Sequence, residues 1–441
     1  MVIICLLIGM ILSYLQFDKR TAIENPILKI VLSFFFCIAT LSFAFSACLF
    51  AGIPYNWFLA IFLAFPLLFL VLELKKRHKK LFEVSRIKDA SFLSLLVILC
   101  GLSFFTYNFF TQSMRWGEWD AWAIWSQHAK FLTFETEFSN LFDARLHYTH
   151  PDYPLMLPAI IAMVWKSFDS YSAFVPAFFS YMVSFCLILL MLTPFLERRA
   201  KFLGVALFLL LTGSQVLFPF VVWQYADTLL AAYILIPLVL LSVLPDSKPL
   251  FYFSLIGFFA ASAGWIKNEG LMYFMIFSFC ILLKYFRQPK LLLHYGLGAL
   301  LPVMTISIFK IGFAPSNYLM KESGNSFLEN FTDLSRYEFI WSYAVTYLTE
   351  NCQFLLISFL AILLLNFRFY LSFAFQVLLL LFISYFFAYV FSPYGLEWHM
   401  STSFDRLIHQ IFPAIIYSIF FSIAMKFSKP VVKTSTDGLH V

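Results

Sequence analysis

The chain has 441 residues, 62% of them hydrophobic and only 12% charged, with 59 Phe. That composition excludes a soluble globular domain and describes an all-α polytopic membrane protein. The formal net charge of +6 lies mostly in short Lys and Arg tracts between apolar runs, where it sets orientation, so no nucleic-acid partner is expected.

Apolar runs long enough to span, about 20 residues with a tolerance of a few, fall at 1–17, 27–50, 53–73 and 90–112. The first begins without a basic flank or a small-residue cleavage site, which points to a retained helix and not a removed signal peptide. Between the third and fourth lies Lys75-Lys76-Arg77-His78-Lys79-Lys80, a cluster expected in the cytoplasm. Counting back places the N-terminus outside and Asp18-Lys19-Arg20 inside; counting forward brings the loop 113–153 to the outer face.

The next apolar piece, 153–168, is short and has Pro151, Pro154 and Pro158 within or beside it. The run at 171–195 ends in Glu197-Arg198-Arg199-Ala200-Lys201, and the charge rule is met only if 153–168 does not cross. Further runs at 202–221, 228–245, 250–266, 270–284, 293–313, 339–364, 369–391 and 407–425 bring the total to roughly 13 spans. Lys248, Lys284, Arg287, Lys290, Arg368, Lys426 and Lys429 then all fall inside. This divides the chain into N-terminal helices (1–85), a membrane-embedded region carrying the outer loop (86–428) and a polar cytoplasmic tail (429–441). The seven Cys lie almost all in apolar runs without a Cys-x-x-Cys pair and read as small buried hydrophobes.

The potentially reactive residues gather on one side. In the first outer loop, Arg115-Trp116-Gly117-Glu118-Trp119-Asp120-Ala121-Trp122-Ala123-Ile124-Trp125 is followed by His150-Pro151-Asp152-Tyr153-Pro154. Tryptophans at three-residue intervals suit a segment lying at a membrane surface. Were 116–130 helical, at 100° per residue the four Trp would spread over roughly half the circumference, with Asp120, Ala123 and Gln127 sharing a stripe on the other half.

Asp120, with Glu118 beside it, is a candidate general base, because a low-dielectric rim strengthens a carboxylate as a proton acceptor. The alternative for Asp120 is a helix-start acid facing water. Asp152 and Asp227 are each a candidate site acid or an N-cap, and His150 a polar contact or merely an exposed ring. Lys267-Asn268-Glu269 interrupts an apolar hairpin and offers either an internal ion pair or a cation for a phosphate. Glu397 to Arg406 opens the last span; His399 and Arg406 at a helix start make an anion site, unless Arg406 pairs only with Asp405. Several acids and histidines leave a divalent metal possible, but no spacing is diagnostic and none is assigned.

Four pieces together carry a resemblance: Glu118-Trp119-Asp120-Ala121; His150-Pro151-Asp152-Tyr153-Pro154-Leu155; Tyr225-Ala226-Asp227 with Lys267-Asn268-Glu269-Gly270; and Trp398-His399 through Ser403, Asp405 and Arg406. In these the chain resembles the GT-C superfamily of integral-membrane glycosyltransferases, in the group that includes protein O-mannosyltransferases and the lipid A aminoarabinose transferase. The resemblance implies transfer of a sugar from a polyprenyl-phosphate carrier to a lipid, glycan or protein acceptor on the outer face of a bacterial inner membrane. It implies Asp120 as the catalytic carboxylate and Asp152 as a second site acid. Lys267, His399 and Arg406 would hold the donor phosphate, with Glu118, Trp119, His150, Asp227 and Glu269 in support. The chain departs from the familiar members in carrying more spans before the catalytic loop and no soluble domain. Two rival readings are a transporter or flippase of a lipid-linked saccharide and a non-catalytic subunit of an envelope-assembly machine.

Overall fold

A chain this poor in polar side chains has to satisfy its backbone N–H and C=O groups internally, and the helix does so within each segment. The computed structural model describes residues 1–76, 92–197, 201–212, 218–245, 248–316 and 329–427, and every regular element among them is helical. The basic run is described only through Lys76, so Arg77 to Lys80 lie outside the described residues, as do Arg198, Arg199 and the tail from 428 onward.

The helices are α1 (Val2–Arg20), α2 (Pro26–Phe50), α3 (Tyr55–Lys76), α4 (Phe92–Gln112), α5 (Gln127–Leu132), α6 (Met156–Phe168), α7 (Phe174–Glu197), α8 (Lys201–Thr212) and α9 (Phe218–Trp223). They continue as α10 (Ala226–Ser242), α11 (Pro249–Ser262), α12 (Asn268–Tyr285), α13 (Pro289–Gly312), α14 (Leu334–Asn351), α15 (Gln353–Leu365), α16 (Phe373–Val390) and α17 (Leu396–Phe427).

Among the described residues seven helices are long and apolar enough to cross a membrane: Val2–Arg20, Pro26–Phe50, Tyr55–Glu73, Phe174–Phe195, Pro289–Gly312, Phe373–Val390 and Leu396–Lys426. An eighth is reached if α14 and the apolar part of α15, bent by 93°, count as one span. The sequence reading of roughly 13 spans also counts α10 and α11, which are shorter apolar helices, and leaves out α6, the third of that kind, as non-crossing. An apolar run looks the same in sequence whether lipid or protein surrounds it.

α10 shows which of the two applies there. All its residues from Ala226 to Leu240 are buried, so it is apolar all round because protein, and not lipid, surrounds it. α6 is likewise buried along most of its 13 residues, at about 1.5 Å each too short for a hydrocarbon core of about 30 Å. The run at 202–221 is interrupted, with residues 213–217 outside the described set.

α11 and α13 approach backbone to backbone. A Cβ on Gly257 would strike the Tyr295 carbonyl, and one on Gly298 the Ser254 carbonyl, the small-residue contact that lets membrane helices close on each other. At one end of the bundle Lys19 lies 4.0 Å from Glu73, Lys248 Nζ donates to the Lys19 carbonyl at 3.2 Å, and Lys29 meets Asp18 at 2.6 Å. Of the acids in the 113–153 loop, Asp120 meets Arg406 of α17 and Asp152 meets Asn268 at the start of α12.

Candidate functional site

The loop after α4 is fixed before its acids are placed. Gly117 turns the chain at φ +72° and packs under the Trp223 carbonyl. Glu118 N–H donates to that same carbonyl at 3.1 Å, and Gln224 Nε2 donates to the Met114 carbonyl at 2.7 Å. These contacts tie the loop to the α9–α10 junction. A Cβ at Gly117 would carry about 1–2 kcal/mol of left-handed strain and clash with backbone that cannot move aside. Gly117→Ala is therefore expected to lower the thermal unfolding midpoint and to reduce turnover with it, both measured on purified protein.

Asp120 follows at the start of a wide π-helical turn, Ala121–Ser126, that runs into α5. This turn redistributes the tryptophans expected on one face. Trp119 and Trp122 are exposed and pack edge to face, Trp116 leans on Trp165, and Trp125 is buried and stacked on Tyr153.

The alternatives are a water-facing helix-start acid for Asp120 and N-caps for Asp152 and Asp227. Asp120 does stand at the start of its turn, but it is buried and makes no side-chain capping bond, while Leu155 holds the N-cap position of α6 and Tyr225 that of α10. Their carboxylates reach across the fold instead. Arg406 of α17 donates through Nη2 to Asp120 Oδ2 at 2.5 Å, joining residues 286 apart in sequence. Its Nε lies 3.5 Å from Asp227 Oδ2, too far for a hydrogen bond, and both atoms are buried without one. The guanidinium also lies over the Tyr225 ring, 4.9 Å from its centroid.

Asp227 is the anchor. Lys267 Nζ donates to its Oδ1 at 2.9 Å and Gln410 Nε2 to the same oxygen at 2.5 Å, while Lys267 also pairs with Glu269 at 3.0 Å. Lys267 and Asp227 are 2% and 0% exposed in their side chains, a depth at which an unpaired charge is costly and a paired one is held. The internal ion pair open to Lys267-Asn268-Glu269 is thus present, and it extends to Asp227 and Arg406. Asp405, by contrast, makes no side-chain bond to the Arg406 guanidinium among the described residues and accepts the Arg406 backbone N–H.

Asp152 forms the neighbouring group. Asn268 Nδ2 donates to its Oδ2 at 2.8 Å, while Lys310 of α13 donates to the Asp152 carbonyl and to Asn268 Oδ1, each at 2.7 Å. Tyr153 stacks between Trp125 (5.7 Å) and His150 (4.9 Å), with Lys267 Nζ 5.9 Å from its centroid. Burial holds His150 below its ordinary value, with Arg406 and Lys267 adding to that and Asp152 and Asp120 opposing it. Burial likewise pushes the phenols of Tyr153 and Tyr225 well up, so both stay neutral donors.

The remaining candidates divide. Glu118 is half-buried near Tyr225, and its charge adds to the upward push on that phenol. Trp119 lies at the surface. His399 is not beside Asp120: its Nδ1 is hydrogen-bonded to Ser392 Oγ at 2.7 Å and its ring meets Tyr389 edge on. The last outer loop is also shorter than expected, since α17 begins at Leu396. Arg406 thus stands ten residues inside the helix, about 15 Å from its free N–H groups at 1.5 Å per residue, and the expected helix-start anion site with Arg406 does not form.

Sequence reasoning missed Gln410 and Lys310. Gln410 had a signal: His399, Ser403, Arg406 and Gln410 recur at helical spacing along an otherwise apolar span. Lys310 had one as well, an isolated cation in the last turn of an apolar run. Among the described residues no group of three or more His, Cys, Asp or Glu side chains is placed to hold a metal ion. Comparison of the chain with protein-family models, with curated proteins and with solved structures returned no match.

Proposed function

We propose that the protein is a glycosyltransferase that moves a sugar from a polyprenyl-phosphate carrier to an acceptor hydroxyl at the outer surface of a bacterial inner membrane. The observation that carries this reading is the meeting of Asp120 with Arg406, a loop carboxylate and a helix cation joined across most of the chain at the edge of a bundle of apolar helices.

In this reading Asp120 faces the acceptor hydroxyl and takes its proton as the oxygen attacks the anomeric carbon in one inverting displacement. Arg406 and Lys267 face the donor phosphate and offset the charge that grows on it as it departs. Arg406 suits an exchange of partners. Among the described residues its Nε donates to nothing, and Asp227 keeps Lys267 and Gln410 when the guanidinium turns toward a phosphate. Asp152, held by Asn268, is the second acid, and His399 contributes from two turns along α17. The runs at 90–112, 202–221, 228–245, 250–266 and 270–284 complete the roughly 13 crossings of the charge-based topology, with α6 not crossing, and the isoprenoid lies between helices.

A transporter of a lipid-linked saccharide is the second reading, favoured by the depth of the Asp227–Lys267 pair. One assay separates them. Purified protein is offered a panel of polyprenyl-phosphate sugars with lipid, glycan and peptide acceptors, and free polyprenyl phosphate is measured. Release from a matched donor is expected; transbilayer movement of the intact donor in vesicles, with no release, would favour the transporter.

A further inference from the structure

Two buried polar atoms of the site stand close to each other without bonding. Arg406 Nε and Asp227 Oδ2 are 3.5 Å apart, and among the described residues neither has a hydrogen-bond partner. Buried groups left in that condition are rare. An N–H···O bond closes at roughly 3.2 Å or less, so a small movement of the guanidinium would satisfy both atoms. Its other end is committed elsewhere: Nη2 donates to Asp120 Oδ2 at 2.5 Å. Asp227, in turn, takes Lys267 and Gln410 on Oδ1 and leaves Oδ2 open. The Asp227 side chain is wholly buried, whereas those of Asp120 and Arg406 are 10% and 16% exposed. A ligand therefore reaches Arg406 from the Asp120 side.

We propose that Arg406 is a donor-operated switch on Asp120: the donor phosphate replaces the Asp120 carboxylate at Nη2, and Nε closes on Asp227 Oδ2. The switch rests on the glycosyl-transfer reading above and adds an order of binding to it. Before the donor arrives, Asp120 Oδ2 is taken by the guanidinium, and an acceptor hydroxyl has to compete with a charge-assisted bond for that oxygen. A phosphate gives the guanidinium a partner of matching geometry, and the exchange satisfies two orphaned buried atoms at once. The Tyr225 ring, whose centroid is 4.9 Å from the guanidinium carbon, offers the cation a face to move across. The freed Asp120 oxygen then takes the hydroxyl proton, and the pair left on the acceptor oxygen forms the bond to the anomeric carbon. The bond from that carbon to the phosphate oxygen breaks, and its pair leaves on the polyprenyl phosphate held by Arg406. The donor thus enters first, and the base is uncovered only when there is a sugar to transfer.

The test titrates purified protein in detergent with polyprenyl phosphate, the carrier without its sugar, and with unphosphorylated polyprenol as the control. Asp120→Asn leaves Arg406 a neutral partner, so the phosphate has less to displace and is expected to bind about 10-fold more tightly than to wild type. Removing any acid near a phosphate raises affinity somewhat, and two comparisons isolate the exchange. Asp152→Asn removes a neighbouring carboxylate that is bonded to Asn268, and it should change affinity far less. In an Arg406→Gln background, Asp120→Asn should bring no gain, because no guanidinium remains to be released. Unfolding midpoints show that each variant is folded, and the comparison of Asp120→Asn with Asp152→Asn stands without Arg406→Gln. Equal affinity of Asp120→Asn and wild type, an equal gain in Asp152→Asn, or a gain that survives Arg406→Gln overturns the switch and leaves the glycosyl-transfer reading to its own assay. A wild type that binds polyprenyl phosphate no better than polyprenol sinks both together.

Discussion

Lys267→Met is expected to lower stability by about 3–5 kcal/mol, the largest single loss from any change at the site. Methionine keeps the volume and removes the charge that Asp227 and Glu269 share. Asp227 is then left with Gln410 and a loose approach to Arg406, at a position where its carboxylate is wholly buried. Adding Asp227→Leu should recover much of the loss, because an apolar pair of similar size in place of a buried ion pair is often near neutral. Chemical unfolding in detergent checks both; a single variant as stable as wild type would mean that water or another cation reaches Asp227.

Asp120→Asn should act in the opposite way, sparing the fold and removing the chemistry. The amide oxygen can still accept from Arg406, so the loop remains docked through that bond and through the Glu118 and Gln224 contacts to the α9–α10 junction. The amide does not take a proton, and loss of a positioned base lowers rates by about 10²–10⁴-fold. The unfolding midpoint should move by much less than in Lys267→Met, which separates the two roles.

The acids and Lys267 were legible in the sequence because charge inside an apolar chain has few places to go, and each such residue drew a candidate role. Which role each plays was not legible. Capping and tertiary pairing use the same residues at the same helix ends, and only the folded chain reveals that Asp120, Asp152 and Asp227 all reach across to other helices. Hydropathy also misplaced the start of α17. Glu397 to Arg406 is polar enough to look like a loop, its polar residues spreading over about two thirds of a helical wheel, yet the helix runs straight through them. That error moved Arg406 from a helix end to a helix interior and hid Gln410, one turn further along. The π-helical turn at Ala121–Ser126 had no sequence signal in a 3.6-residue wheel, so the burial of Trp125 against Tyr153 was out of reach. The crossings were the least legible: a buried α10 and a largely exposed α3 have similarly apolar sequences, and the difference lies only in what surrounds them.

The most direct measurement is a single turnover with donor prebound to Asp120→Asn and to wild type. Donor retained by both, with polyprenyl phosphate released by wild type and slowed about 100-fold or more in the variant, is the predicted result. Equal release by the two proteins would take the chemistry away from Asp120 and contradict the account.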